Sequence, residues 1–97
     1  MPTYISLINW TEKGVAGFKD TVDRAEAGKA LAAKLGGSLK EIYWTVGPYD
    51  IVAITEAPDD EGATAFALSL AAQGNVRTTT LRAFSGDEMR GIIAKTG

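Results

Sequence analysis

The chain has 97 residues, of which 45% are hydrophobic and 23% charged, so its composition is typical of a folded globular domain rather than a disordered segment. It contains no cysteine and no histidine, which excludes disulfides, thiolate catalysis, cysteine-ligated metal or iron–sulfur sites and imidazole ligation of a haem. Its net charge is −2 and its basic residues are scattered singly, so nucleic-acid binding is not expected.

The N-terminus leads directly into a strand pattern and lacks the basic start and apolar core of a signal peptide. The longest apolar run, around Ala63 to Ala72, is too short to span a bilayer. We therefore expect one cytoplasmic domain over residues 1–97, with no cofactor, no bound metal and no membrane contact.

The first predicted element is a strand over Tyr4–Trp10, which is rich in β-branched and aromatic residues. Apolar side chains occupy both of its alternating sets of positions, so we expect cover on both of its faces. Residues 12–19 are predicted to form a short helix or turn. From Val15 to Leu35 the apolar residues recur at steps of three and four, which predicts a helix that leaves Arg24 and the other charged residues in solvent.

Asp20 or Thr21 could cap a fresh start of that helix, and Gly36-Gly37 ends it. Residues 38–46 predict the second strand and residues 50–57 the third, joined by Gly47-Pro48-Tyr49. A connection this short implies antiparallel neighbours.

Pro58 breaks the third strand, and Asp59-Asp60-Glu61 then place acidic charge in the first turn of a helix that ends at Gly74. Those acids resemble a metal cluster only superficially, because the helix dipole explains them. Residues 76–84 predict a fourth strand. A capping-box pattern at Ser85 to Glu88 begins a terminal helix over about residues 86–95.

The resulting order, βαββαβ with an appended helix, predicts an α+β ferredoxin-like plait: a four-stranded antiparallel sheet with two main helices on one face. Successive strand residues point to opposite faces, so the apolar strand residues cannot all face the two helices. An apolar patch must remain on the open face, and such a patch marks an association site. We predict a homo-oligomer that packs sheet against sheet. The strand residues concerned are Ile5, Leu7, Ile8, Ile42, Trp44, Val46, Ile51, Val52 and Ile54.

Three segments of the chain, residues 43–52, 56–60 and 74–84, together resemble the GYD domain family, whose Gly-Tyr-Asp signature corresponds here to Gly47, Tyr49 and Asp50. The resemblance runs from Tyr4 to about Glu88. It implies a small bacterial domain of the dimeric α/β barrel group, in a family whose biochemical role is largely unassigned.

The wider relatives of that group include cofactor-free monooxygenases, small isomerases, haem enzymes and the ligand-sensing domains of Lrp-type regulators, and fold does not carry function across that range. Without histidine the chain departs from the haem pattern. Without a helix-turn-helix segment it is no complete Lrp-type regulator.

The candidate site residues each have a structural and a functional interpretation. Asp50 could accept backbone N–H groups of the hairpin or act as a carboxylate beside a pocket, and Tyr49 could lie exposed or reach into a cleft. Trp10 and Trp44 suit a core or an interface, and more weakly a ligand platform. Arg82 is the best anion-binding candidate. A cross-strand ion pair of Arg82 with Asp50 or Glu41 is the alternative that removes the need for a ligand.

Two function classes follow. The favoured one is a homo-oligomeric module that binds a small molecule or a protein partner, between sheet and helices or at the subunit junction. The alternative is a cofactor-free enzyme, with Asp50 or Tyr49 as acid or base and with Trp10, Trp44 and Asn9 shaping the pocket. Arg82 completes the predicted ligand-binding set. A pure assembly role is a third interpretation.

Overall fold

The computed structural model of the protein describes residues 1–97. The elements are β1 (Thr3–Trp10), α1 (Glu12–Ala16), α2 (Thr21–Lys34), β2 (Ser38–Trp44), β3 (Ile51–Glu56), α3 (Asp60–Ala72), β4 (Val76–Ala83) and α4 (Gly86–Ala94). A short 3-10 turn, Phe18–Asp20, separates α1 from α2, at the break that the sequence allowed. None of the helices combines the length and apolarity that crossing a membrane requires.

The strands form one antiparallel sheet in the order β2-β3-β1-β4, so β1 and β3 are central and β2 and β4 are edges. This is the predicted four-stranded ferredoxin-like arrangement, which is confirmed. Short polar side chains begin the helices: Thr11 caps α1, Asp59 caps α3, and Ser85 with Glu88 forms the predicted capping box of α4.

The two faces of the sheet differ in cover. Tyr4 and Ile8 of β1 and Ile51 and Ala53 of β3 are buried on the side where α2 and α3 lie. The alternate residues of the same strands point to the opposite side and are only partly buried. We refer to that side as the open face. The sequence predicts that both faces of β1 are covered. The chain itself covers only one of them, because both long helices lie on the same side of the sheet.

The open face carries its large apolar residues in two cross-strand rows. One row aligns Tyr43, Val52 and Leu7, and the next aligns Ile54, Ile5 and Leu81. Tyr43 and Leu81, on the edge strands, are 55% and 46% exposed. Residues opposite one another in register share a face, so these side chains form one continuous apolar surface.

The link between β2 and β3 is longer than predicted, because β2 ends at Trp44 and not at Val46. The Thr45 N–H donates to the Asp50 carbonyl at 2.8 Å, while the Asp50 N–H donates to Ile8 of β1 at 2.9 Å. The backbone of Asp50 is thus shared between the loop and β1. Val46 is left fully exposed at the tip.

Candidate functional site

A pocket lies between the covered face of the sheet and helices α2 and α3. Its cavity volume is about 80 Å³, and the cavity opens to solvent. Apolar side chains dominate its walls. They are Ile8, Trp10, Leu39, Ile42, Ile51, Phe66, Leu70 and Val76, together with small alanines.

The pocket exists because the facing residues are small. Ala25 and Gly28 of α2 lie opposite Ser6 of β1 and Ala53 of β3, and all four line the space. A Cβ added at Gly28 would meet nothing closer than a Leu70 methyl at 3.7 Å. The helix and the sheet therefore meet without filling the volume between them, which is unusual for a close-packed protein interior.

One end of the pocket is held by the segment that follows β1. The backbone of Thr11 donates to the Asn75 carbonyl at 3.1 Å, and its hydroxyl donates to the Gly74 carbonyl at 2.6 Å. Gly14 is buried against the same turn, where an added Cβ would lie 1.9 Å from the Asn75 oxygen. Only glycine permits this close approach between the start of α1 and the turn before β4.

Arg24 is the one charged residue that lines the pocket. Its guanidinium donates to the carbonyls of Gly17 and Gly14 at 3.0 and 3.1 Å, so it joins α2 to the segment after β1. The prediction that Arg24 points into solvent was wrong, because helical spacing alone does not reveal that backbone carbonyls of α1 and its C-terminal end face this position. Arg24, Ser6 and Asn75 are pocket residues that the sequence reasoning missed.

Trp10 is the predicted site residue that does line the pocket. The Nε1–H of its indole is buried and has no hydrogen-bond partner. A buried donor without an acceptor costs stability and is rare in folded proteins. The backbone N–H of Trp10 donates at 2.9 Å to the Asp50 carboxylate.

Asp50 and Tyr49 lie beside this region but are not among the pocket residues. The Asp50 carboxylate ties the end of β1 to the start of β3 through the Trp10 N–H. Tyr49 is half-buried, and its carbonyl accepts the Thr45 hydroxyl at 2.7 Å. Gly47, at φ 127°, adopts the left-handed backbone that the turn requires.

Trp44 lies in a second concavity, a groove of about 220 Å³ between α2 and the edge strand β2. Its indole N–H donates to the Thr21 hydroxyl at 2.9 Å, which fixes the ring against the start of α2. Val22 and Trp44 are 57% and 40% exposed there. We refer to this as the α2/β2 groove. It is lined by Val22, Ala25, Glu26, Lys29, Leu39, Lys40, Glu41, Ile42 and Trp44.

Arg82 lies at the other end of the sheet, opposite Tyr4 in register, whereas Trp10 is opposite Val76. Tyr4 and Trp10 are six residue steps apart along β1, or about 20 Å of extended strand. The structure therefore does not bring Arg82 together with Trp10 and Asp50.

The guanidinium of Arg82 lies 4.4 Å from the centre of the Phe84 ring and 3.5 Å from the Glu88 carboxylate. Its carboxylate partner is thus in α4, and neither Asp50 nor Glu41 pairs with it. The pKa of Glu88 is lowered, first by the Ser85 backbone N–H that its carboxylate accepts and to a lesser extent by the charge of Arg82.

Two tyrosine hydroxyls are also paired with carboxylates. Tyr4 donates to Asp60 at 2.5 Å, and Tyr43 donates to Glu41 at 2.5 Å. Each hydrogen bond raises the pKa of its phenol, because the neutral form is the donor. Glu41 is thereby engaged on the open face, with the aromatic residue two positions along its own strand.

The chain is similar to proteins of one known family. The family model of the GYD domain matches residues 4–93. A Thermus thermophilus protein named glutamine synthetase and cystathionine beta-lyase binding protein is 34% identical over 84 residues, which are 86% of this chain and 88% of that protein.

Two solved structures are similar in fold. The crystal structure of TTHA0845 from Thermus thermophilus has a TM-score of 0.58 at 28% identity and covers 89% of this chain and 96% of that one. The crystal structure of MtbAldR has a TM-score of 0.69 over 87% of this chain. Its identity is 13%, and this chain spans 52% of its length, so the likeness is one of fold alone.

Proposed function

Because the chain belongs to the GYD domain family, we propose that it is a binding module without a reaction of its own: two copies pair through their open faces, and the assembly binds protein partners. The observation that carries the pairing is the continuous apolar surface of the open face, formed by Tyr43, Val52, Leu7, Ile54, Ile5 and Leu81. Contiguous apolar surface of this kind is characteristic of association sites.

The small interior of the single chain supports the pairing. Only 12 of its 97 residues are buried, and none of its large side chains is completely enclosed. A domain of this size buries little surface on folding, and a second copy is one of the usual ways to add a core. Pairing of the open faces would enclose the central aliphatic residues of β1 and β3 between two sheets.

Protein partners are supported by the Thermus thermophilus relative, whose name states that it binds two enzymes. In this chain the α2/β2 groove has the features of a partner surface. Trp44 is held in one orientation by Thr21, and lysines and glutamates surround it. Large aromatic anchors with a charged rim dominate the energetics of protein interfaces. Trp44 faces the helix side, so this groove stays free when the open faces pair.

The experiment uses the full chain in two measurements. Sedimentation equilibrium at micromolar concentration is expected to give twice the chain mass of 10.2 kDa. Glutamine synthetase and cystathionine β-lyase of the host, immobilised separately, are expected to capture the protein. Trp44→Ala should weaken that capture at least about tenfold without changing the mass in solution.

Phe84→Ala is the matched control, because Phe84 is an aromatic residue exposed on the opposite edge of the sheet. It should leave both measurements unchanged. A monomeric mass would contradict the sheet pairing. Equal capture of the native chain and Trp44→Ala would remove the groove as the partner surface, and absence of capture by either enzyme would leave these enzymes without support as partners.

A further inference from the structure

We propose that the pocket between the sheet and helices α2 and α3 is a binding site for a small, mostly apolar carboxylate. The pocket lies on the covered face, opposite the surface that pairs two copies. It shares Ala25, Leu39 and Ile42 with the α2/β2 groove, but Trp44 does not line it. The proposal therefore goes beyond the proposed function and does not depend on it.

The apolar walls of the pocket favour a ligand whose larger part is apolar. Phe66 and Leu70 of α3 face Ile8 and Ile51 of the sheet, and aromatic and aliphatic surfaces surround the space. A hydrated or highly polar molecule would lose its water there without replacement hydrogen bonds. A phenyl ring or a branched aliphatic chain fits this lining by chemistry, since it only exchanges water for apolar contact.

The one charged residue of the lining, Arg24, determines which head group a ligand can carry. Arg24 uses two of its five N–H groups on the carbonyls of Gly17 and Gly14, which leaves others for an anion. No aspartate or glutamate lines the pocket. A guanidinium with N–H groups to spare and no carboxylate beside it in the lining fits a ligand with a carboxylate head.

The carbonyls of Gly14 and Gly17, in α1 and at its C-terminal end, hold the guanidinium of Arg24. The carboxylate of Asp50 accepts the backbone N–H of Trp10 and is not part of the lining. A bound acid would thus place its carboxylate at Arg24 and its apolar body toward Phe66 and Leu70.

The test follows the indole N–H signals of the ¹⁵N-labelled full chain while sodium phenylacetate is added. The chain has two tryptophans, so the Trp44→Phe variant identifies the Trp10 signal. We expect a saturable shift of the Trp10 signal with a dissociation constant in the millimolar range or below, as is usual for a ligand of this size. The Trp44 signal of the native chain should stay in place.

Phenylacetamide is the matched probe, because it has the same shape without the charge. It should bind at least about tenfold more weakly, since a charged acceptor makes the stronger hydrogen bonds. Equal binding of acid and amide, a shift confined to Trp44, or no shift of Trp10 up to about 10 mM acid would each overturn the proposal. This comparison needs only the native chain.

A pair of variants then locates the site. Ala25→Leu fills the pocket and should abolish the shift, whereas Ala30→Leu adds the same bulk on the exposed side of α2 and should not. Thermal unfolding of both variants checks that the fold is kept. Unchanged binding in a folded Ala25→Leu would overturn the assignment to this pocket. If Ala25→Leu does not fold, the comparison of acid with amide decides.

Discussion

The two faces of the sheet use their central strands in opposite ways. On the covered face β1 and β3 present small residues beside larger ones, among them Ser6 and Ala53, and a pocket remains under the helices. On the open face the same strands present Ile5, Leu7, Val52 and Ile54, with no helix above them. Bulky aliphatic residues thus remain where the chain does not cover them, and the proposed pairing of two copies rests on this observation.

A charge on the open face is expected to have the largest effect. Leu7→Glu would place an unpaired carboxylate in the centre of the paired sheets, where a buried charge without a partner costs at least about 3 kcal/mol. We expect the dimer dissociation constant to rise at least about 100-fold, measured by sedimentation equilibrium. Ala30→Glu, with the same charge on the exposed side of α2, should leave it unchanged. An unchanged dimer dissociation constant in Leu7→Glu would show that two copies do not pair through the open face.

A substitution where the start of α1 meets the turn before β4 is expected to have the next largest effect. Gly14→Ala would bring a methyl group to 1.9 Å from the Asn75 carbonyl oxygen, so the start of α1 and the turn before β4 must separate. We expect a loss of about 2 to 3 kcal/mol in the free energy of unfolding. Urea unfolding at fixed protein concentration measures it. Gly86→Ala, with no atom within 4 Å of the added carbon, is the control.

Asp50 connects the two central strands, and its removal is expected to cost less. Asp50→Ala deprives the Trp10 N–H of its acceptor and should lower the free energy of unfolding by about 1 to 2 kcal/mol. Asp50→Asn keeps an acceptor oxygen and should lose clearly less. The same urea series tests both. An equal loss in both variants would show that the charge, and not the hydrogen bond, is what the fold requires.

The smallest effect is expected within the pocket, and it has the opposite sign. Gly28→Ala adds a methyl group at an ordinary van der Waals distance of 3.7 Å from Leu70, in the interior of α2. Alanine is the better helix former, so we expect a gain of about 0.5 to 1 kcal/mol in thermal or urea unfolding. A loss of stability would mean that the space under α2 is already filled. The covered face would then be closely packed, without the pocket that distinguishes it from the open face.

The candidate site was only partly predictable from the sequence. Trp10 was singled out and does line the pocket. Asp50 was considered as an acceptor of N–H groups of the hairpin, but the backbone N–H that it accepts belongs to Trp10 of β1. Arg82 was considered as an anion-binding residue or as the partner of Asp50 or Glu41 across strands, but α4 folds back so that its carboxylate partner is Glu88. Arg24 was assigned to solvent, although the carbonyls that it binds belong to a segment seven and ten residues earlier.

The sequence by itself determined the order of the elements, the helix caps, the antiparallel sheet and the resemblance to the GYD family. These depend on periodicity, short turns and capping residues, which are local properties. Tertiary structure alone decided which alternate set of strand residues the helices cover, that small residues meet across the covered face, and that the Trp10 indole N–H is left without an acceptor. Those outcomes depend on how distant segments pair and pack, and a local pattern does not record which side chains will face one another.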